Sequence, residues 1–349
     1  EIMMIRAFVL VMWFRAASSV GVFDRMSSNT ALLQTGYPDA VLTYLYTKYS
    51  EAIFSNVVAW TNHATLDDTR HFATAPFGKR IIAFFLSFVY IHRYPTLADI
   101  PQTLSIRIRR GLFQGVTEYF FKQAIKPCIY AMADIFSEVD WDSRLDPYNH
   151  APHFPFSFTV ITDTFPIFIE APRDPFLNDL FYGGKYGRHC VKVGIGVTFQ
   201  KKIVFWSGVH VGSASDTTIA RDTIENSPRL PWEWWLGDRV YMFVRRCLAG
   251  YRRQRIPNTR PPRYYRLTTR QRECNGLIGF YRSRVEQVIG NCKNHNAMSK
   301  GGLAFRGSII FLEAIVSVTM HATAAMLERE PRMQSHPFPN PSSHPGWAH

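Results

Sequence analysis

Residues 156–169 read FSFTVITDTFPIFI. Val160, Ile161, Ile167 and the phenylalanines are β-branched or aromatic, with Thr159 and Thr162 between them, so the stretch reads as a buried β-strand. Asp163 stands in its middle, where a carboxylate is disfavoured unless something rewards the charge, a bound divalent cation being one such reward. Upstream, Pro147, His150, Pro152, His153 and Pro155 form a linker. Downstream, strand periodicity recurs in Cys190–Phe199 and Lys202–Val211 around a short Gln200–Lys201 turn. A helix over Ser213–Glu225, a fourth strand over Trp232–Tyr241 and long helices over Thr269–Lys293 and Leu303–Leu327 follow.

Three antiparallel strands, a helix, a strand and late helices describe an α/β (α+β) chain with an RNase H-like catalytic domain and a mixed five-stranded sheet. That domain is expected over 146–330, with an Arg-rich insertion at about 245–270. Residues 1–145 are expected to be an all-α N-terminal region, with apolar spacings of three and four in Ile81–Tyr90 and Val116–Met132. Within it, a helix after Pro95, a turn at Leu104–Ile106 and a second helix from Arg107 to Phe121 outline a helix-turn-helix over about 95–121. Two packed core helices account equally well for that outline, because Pro101 interrupts the first helix and no glycine marks the turn. Residues 331–349, rich in Pro, Ser and His, read as a disordered tail.

The 349 residues are 46% hydrophobic and 19% charged, which excludes disorder as the dominant state. A mean hydropathy of −0.11, without a clean apolar run of about 18 residues, argues against a polytopic membrane protein. Ala7–Phe14 imitates a signal peptide but is short and stopped by Arg15, so an intracellular protein with no membrane partner is expected. Cys128, Cys190, Cys247, Cys274 and Cys292 contain no C-x-x-C pair and indicate reduced, buried thiols rather than a disulfide framework or a zinc site. The net charge of +13 points to a polyanionic partner. It concentrates in residues 239–293, where fourteen basic side chains, thirteen of them Arg, face only Glu273 and Glu286. Interleaved tyrosines at 251, 264, 265 and 281 suit phosphate forks with base or sugar stacking.

The expected fold makes a claim about carboxylates: they should sit on the first strand, after the fourth, and on a late helix. Asp163, Asp238 and Glu286 occupy those places, Asp238 ending Leu236-Gly237-Asp238 and Glu286 sharing a helix face with Arg282 at i−4. Alone, each reads more readily as a turn, cap or ion-pair residue. Together they offer hard oxygen ligands to Mg²⁺ or Mn²⁺, and two such ions about 3.5–4 Å apart can drive an in-line displacement at a phosphodiester.

From about Tyr94 to Lys293 the sequence resembles a PIF/Harbinger-type DDE transposase or transposase-derived nuclease, in the DDE endonuclease superfamily. The resemblance is carried by Tyr182-Gly183-Gly184-Lys185 with His189 and Lys192, by Gly212-Ser213-Ala214-Ser215-Asp216, and by Asn275, Arg282, Glu286, Gly290 and Lys293. It implies a catalytic triad of Asp163, Asp238 and Glu286 holding divalent metal, two Mg²⁺ or Mn²⁺ ions. It implies DNA contacts from Lys185, His189, Lys192, Arg239, Arg282 and Lys293, with Asp216 capping a helix or supporting the site. The activity it implies is DNA cutting and joining, on element ends and target. The likeness further implies a nuclear protein (cytoplasmic if prokaryotic), homo-oligomerisation and a Myb-like DNA-binding partner. Val240 stands where the family carries a Gly, and no Gly follows the first acid. The alternatives are a host-adopted or decayed relative that binds DNA without cutting it, and a nuclease of the same fold acting on RNA or junctions. Gly183-Gly184 suits close approach to a phosphate or an ordinary hairpin, and Trp232, Trp234 and Trp235 suit core packing or a displaced base.

Overall fold

A computed structural model describes residues 35–61, 77–96, 99–100, 121–149, 157–251, 257 and 264–329. The chain forms two compact units: residues 1–138, 168–170 and 292–326, and residues 139–167, 171–291 and 327–349. Most of the expected helix-turn-helix, residues 252–256 and 258–263 of the Arg-rich insertion and the 331–349 tail lie outside the described residues, as does the segment before residue 35.

The first unit is built on helices α1 (Asp39–Thr61), α2 (Phe77–Arg93), α3 (Lys126–Ile135) and most of α7 (Ile309–Arg329). Fourteen side chains of α7, from Phe311 to Ala325, are buried. A helix apolar on every face must be wrapped by others, and α7 is: Tyr37 Oη donates to the Thr319 carbonyl at 3.2 Å and Ser317 Oγ to the Ala133 carbonyl at 3.2 Å. By length and composition α7 could cross a membrane, so the sequence does hold one such run; 78% of that window is buried within the protein. The unit also takes in residues 168–170, where Phe305 N–H donates to the Phe168 carbonyl at 2.7 Å. Residues 292–326, expected with the catalytic domain, group with the N-terminal helices, against which α7 is buried. The boundary between units falls after Glu138 rather than after residue 145.

The second unit is a mixed sheet with helices. Its strands are β1 (Phe158–Phe168), β2 (Tyr182–Gly183), β3 (Arg188–Val197), β4 (Ile203–Trp206), β5 (His210–Val211), β6 (Trp234–Leu236) and β7 (Cys247–Leu248). They join in the order β2-β3-β1-β6-β7, with β4 and β5 both paired to β3. The sheet therefore has seven strands where five were expected. Two differences in the backbone account for this. The third expected strand divides into β4 and β5, since Gly208 takes φ +75° between them, and β2 adds a short hairpin ahead of β3. β6 lies parallel to β1 and β7 parallel to β6, whereas β2, β4 and β5 run antiparallel to β3. The arrangement is a mixed α/β fold compatible with the expected one. Helices α4 (Pro175–Phe181), α5 (Asp216–Ala220, continued as a π turn to Glu225) and α6 (Thr269–Cys292) complete the unit.

Its core cluster joins Val160 of β1, Val204 of β4, Ile224, Trp235, Tyr241, Val244 and Cys247. Trp235 is fully buried against Trp141 and Phe205, so of the three tryptophans it is the core residue, while Trp232 and Trp234 are each 41% exposed. All five cysteines are free and buried.

Candidate active site

The parallel register of β1 and β6 sets the site. Ile161 pairs with Leu236, and two residues further along each strand direction stand Asp163 and Asp238. Side chains two apart on a strand share a face, so the register carries the two acids to the same place. β6 stops at Leu236, earlier than the expected Tyr241. Gly237 explains part of this: a Cβ there would collide with the Tyr241 ring and Cys247 Sγ, so the close turn admits only glycine. Asp238 then accepts from its neighbour's Arg239 N–H at 2.6 Å and opens a single 3₁₀ turn, Arg239–Tyr241. That turn returns Tyr241 to β1, where its hydroxyl meets Thr164 Oγ1 at 2.8 Å.

Glu286 arrives from α6, and one side chain joins all three acids. Arg282, one turn before Glu286, places Nη2 3.8 Å from Asp163 Oδ2 and 3.5 Å from Glu286 Oε1, and Nη1 3.3 Å from Asp238 Oδ1. Four ionised groups from three elements thus share one cleft, with a formal charge of −2. Asp163 is the most enclosed, its side chain 22% exposed against 37% and 58% for the others. Its pKa is pushed up to about 6, first by burial and then by Asp238 and Glu286, against the Thr164 N–H and Arg282, which pull it down. One guanidinium therefore does not neutralise the cleft.

The donor set, three carboxylates of hard oxygen, suits Mg²⁺ or Mn²⁺, and the excess negative charge is what such ions would meet. As placed, the acids surround Arg282; among the described residues no three of His, Cys, Asp or Glu are gathered closely enough to hold an ion by themselves.

The other expected residues divide. Lys185 Nζ and Lys192 Nζ lie 3.2 Å from the two oxygens of Asp216, and Lys192 also donates to the Ala214 carbonyl at 2.6 Å. Asp216 is not the helix cap: Ser215 caps α5, accepting from Thr218 N–H at 3.0 Å, and Asp216 clamps the two lysines from the first turn. This group borders the acids, for Thr217 Oγ1 donates to the Val240 carbonyl at 2.9 Å, and Asp216 and Asp163 both help to raise the Tyr241 pKa, which burial dominates. Gly183-Gly184 forms the β2–β3 hairpin. Gly183 is packed against Cys190 Sγ, leaving its role structural, whereas Gly184 faces open space. His189 packs edge-on to Tyr182, and its Nε2 is buried without a hydrogen-bond partner. Arg239 is exposed beside Asp238. Lys293 lies just past α6 and belongs to the other unit.

Two features escaped the sequence reading. Arg282 was expected on DNA, although its i−4 spacing from Glu286 was the available signal that it would turn to the acids. Glu233, fully buried, accepts from Arg144 Nε at 2.8 Å and Nη2 at 3.0 Å and from Thr159 Oγ1 at 2.9 Å, fixing the start of β6 to β1. No periodicity marks such a pair.

Residues 162–321, a little under half of the chain, match the sequence model of the DDE superfamily endonucleases. The match begins at the Thr162-Asp163 pair and contains Asp238 and Glu286. It supports the superfamily and suggests a transposase-like nuclease, and nuclease activity in that family generally uses divalent metals. No curated protein and no solved structure matches the chain.

Proposed function

We propose that this protein is a divalent-metal-dependent DNA endonuclease and strand-transferase of the PIF/Harbinger type. The observation that carries the reading is the meeting of Asp163, Asp238 and Glu286, from a strand, the turn after a strand and a helix, around one guanidinium. Acids brought together from positions 163, 238 and 286 at the cost of mutual repulsion need a function beyond the fold, since a merely structural Asp on β1 would be better replaced by an apolar residue. Bound Mg²⁺ or Mn²⁺, in a two-ion arrangement, would supply the activated attacking oxygen and the stabilised leaving oxygen of an in-line displacement.

The chain's own residues supply the rest. Asp163 on β1 and Asp238, two residues past the end of the parallel β6, would hold the ions together with Glu286 from α6. Tyr241 and Thr164 lock the Asp238 turn onto β1. Arg239, Lys185 and the tyrosines of the Arg-rich segment face solvent, where a phosphate backbone can reach them; Tyr264 and Tyr265 are more than half exposed. Of the assigned DNA contacts, Lys192 and His189 act from beneath this surface, and Arg282 extends it along α6. Asp216 holds the two lysines in position. The family likeness extends the proposal to a nuclear protein that works on element ends as a homo-oligomer with a Myb-like DNA-binding partner. Val240, in place of a glycine, is not among the positive-φ residues, so the substitution asks no strained backbone of the turn. That supports a competent site over a decayed one.

The test is cleavage by the purified chain. Duplex DNA is expected to be cut in Mg²⁺ or Mn²⁺ and spared in chelator, with RNA of the same sequence spared in both. Binding to duplex without cutting would favour the decayed reading, and preferential cutting of RNA would assign another nuclease of this architecture.

A further inference from the structure

Arg282 is held in a way that differs from Arg144, the one fully buried arginine among the described residues. Arg144 is 2% exposed, makes a two-pronged pair with Glu233 at 2.8 and 3.0 Å, and donates through Nη1 to the Trp141 carbonyl at 3.0 Å. That is a saturated structural guanidinium. Arg282 reaches three carboxylates, but at 3.3–3.8 Å, and its Nε is buried with no partner at all. Its side chain is 21% exposed. A cation at the focus of three acids, attracted by charge yet poorly satisfied in hydrogen bonds, is one that a stronger cation can displace.

We propose that Arg282 is an internal counter-cation, holding the three carboxylates in the metal-free chain and giving way to divalent ions when DNA phosphates draw it out. The inference rests on the proposed function and adds its regulation. Arg282 shares the i−4 face of α6 with Glu286, so a rotamer change, without movement of the helix, takes the guanidinium from carboxylate to solvent. Phosphate and carboxylate both match its fork. Because one group serves two anions in turn, metal and DNA must bind with positive coupling, each raising the affinity for the other. Free protein would hold metal weakly and stay inactive, and the site would assemble on its substrate.

The experiment is a titration of free Mn²⁺, followed by its electron paramagnetic resonance signal, against the full chain without DNA. Arg282→Gln is expected to bind Mn²⁺ at least about tenfold more tightly than wild type, since a positive charge a few ångströms from the ligands is removed. Asp163→Asn in the Arg282→Gln background should abolish that gain, which places the ion at the acids. Arg245→Gln, an equal loss of charge on the exposed turn after Asp238, should leave the affinity within about twofold of wild type. Adding short random duplex should tighten Mn²⁺ binding by wild type and leave Arg282→Gln nearly unchanged. Should Arg282→Gln fail to fold, Arg282→Met removes the same charge while keeping an unbranched stem and is expected to bind Mn²⁺ more tightly than wild type. Wild type and Arg282 variants binding Mn²⁺ equally would overturn the counter-cation and leave the nuclease standing. No Mn²⁺ binding by any of them, with or without duplex, would overturn both.

Discussion

Asp163 shows at the scale of one residue how function and folding compete. Enclosed among Thr164, Arg282, Asp238 and Glu286, its carboxyl titrates near 6 instead of below 4, because burial and two like charges outweigh one guanidinium and one N–H. In sequence the same conflict is visible as an Asp between Ile161 and Phe165, which is why this residue could be singled out without coordinates. Arg282 was less legible. A helical Arg four residues before a Glu reads first as a local ion pair, and only the approach of β1 and β6 to α6 turns it into a partner of three acids. Asp216 was expected to cap a helix or to support the site, and the cap falls instead to Ser215. The position of Asp216 at the start of a helix suggested a cap, but Ser215 already occupied that place, which freed Asp216 for Lys185 and Lys192.

Among the elements, β6 matters most, since its register on β1 decides where Asp238 falls. Three residues of ladder are a slight hold. The Arg144–Glu233 pair just before it, with Thr159 of β1 as third member, supplies what the short ladder lacks. Glu233→Ala would remove the two-pronged partner of buried Arg144, leaving it only the 3.5 Å pair with exposed Asp142 and two carbonyl acceptors, at a cost of about 3 kcal/mol. Thermal or denaturant unfolding of the variant checks this, and a change within experimental scatter would remove the pair from the account. Strands and helices with clear periodicity, β1, β3 and α6, follow the pattern of their apolar residues closely. Those that end on tight backbone geometry do not: β6 stops at the crowded Gly237, and the third strand breaks at Gly208, neither of which a hydropathy pattern records.

For the molecule as a whole, the chain does not divide where composition changes. The Pro-rich linker near residue 146 suggested the boundary, yet the helical unit closes only with residues 292–326, whose largely buried helix finds its partners at the other end of the sequence. That long-range return has no local signature. The helical unit also carries His92, His295 and His321, with pKa values lowered to about 4, 3 and 4, in each case chiefly by burial. Lys300 and Arg93 add to the effect on His92, His92 and Lys300 to that on His295, and Glu138 opposes it at His321. All three are neutral when folded and charge on unfolding below their ordinary value near 6.5. Stability is therefore full above about pH 6.5 and falls as the pH is lowered toward about 4, where the unfolded chain binds the extra protons. Melting curves from pH 8 to 4.5 should show that decline, and His92→Gln should flatten it; a melting temperature constant over this range would contradict it. The central claim, that three carboxylates distant in sequence act as one metal-dependent site, is met most directly by comparing the Mn²⁺-dependent DNA cleavage rates of Asp163→Asn, Asp238→Asn, Glu286→Gln and the triple variant. Groups that work as a unit fail as a unit, so each single change should cost at least about a hundredfold and the triple change little more than any one. A single variant that still cuts at the wild-type rate, or losses that multiply in the triple variant, would contradict it.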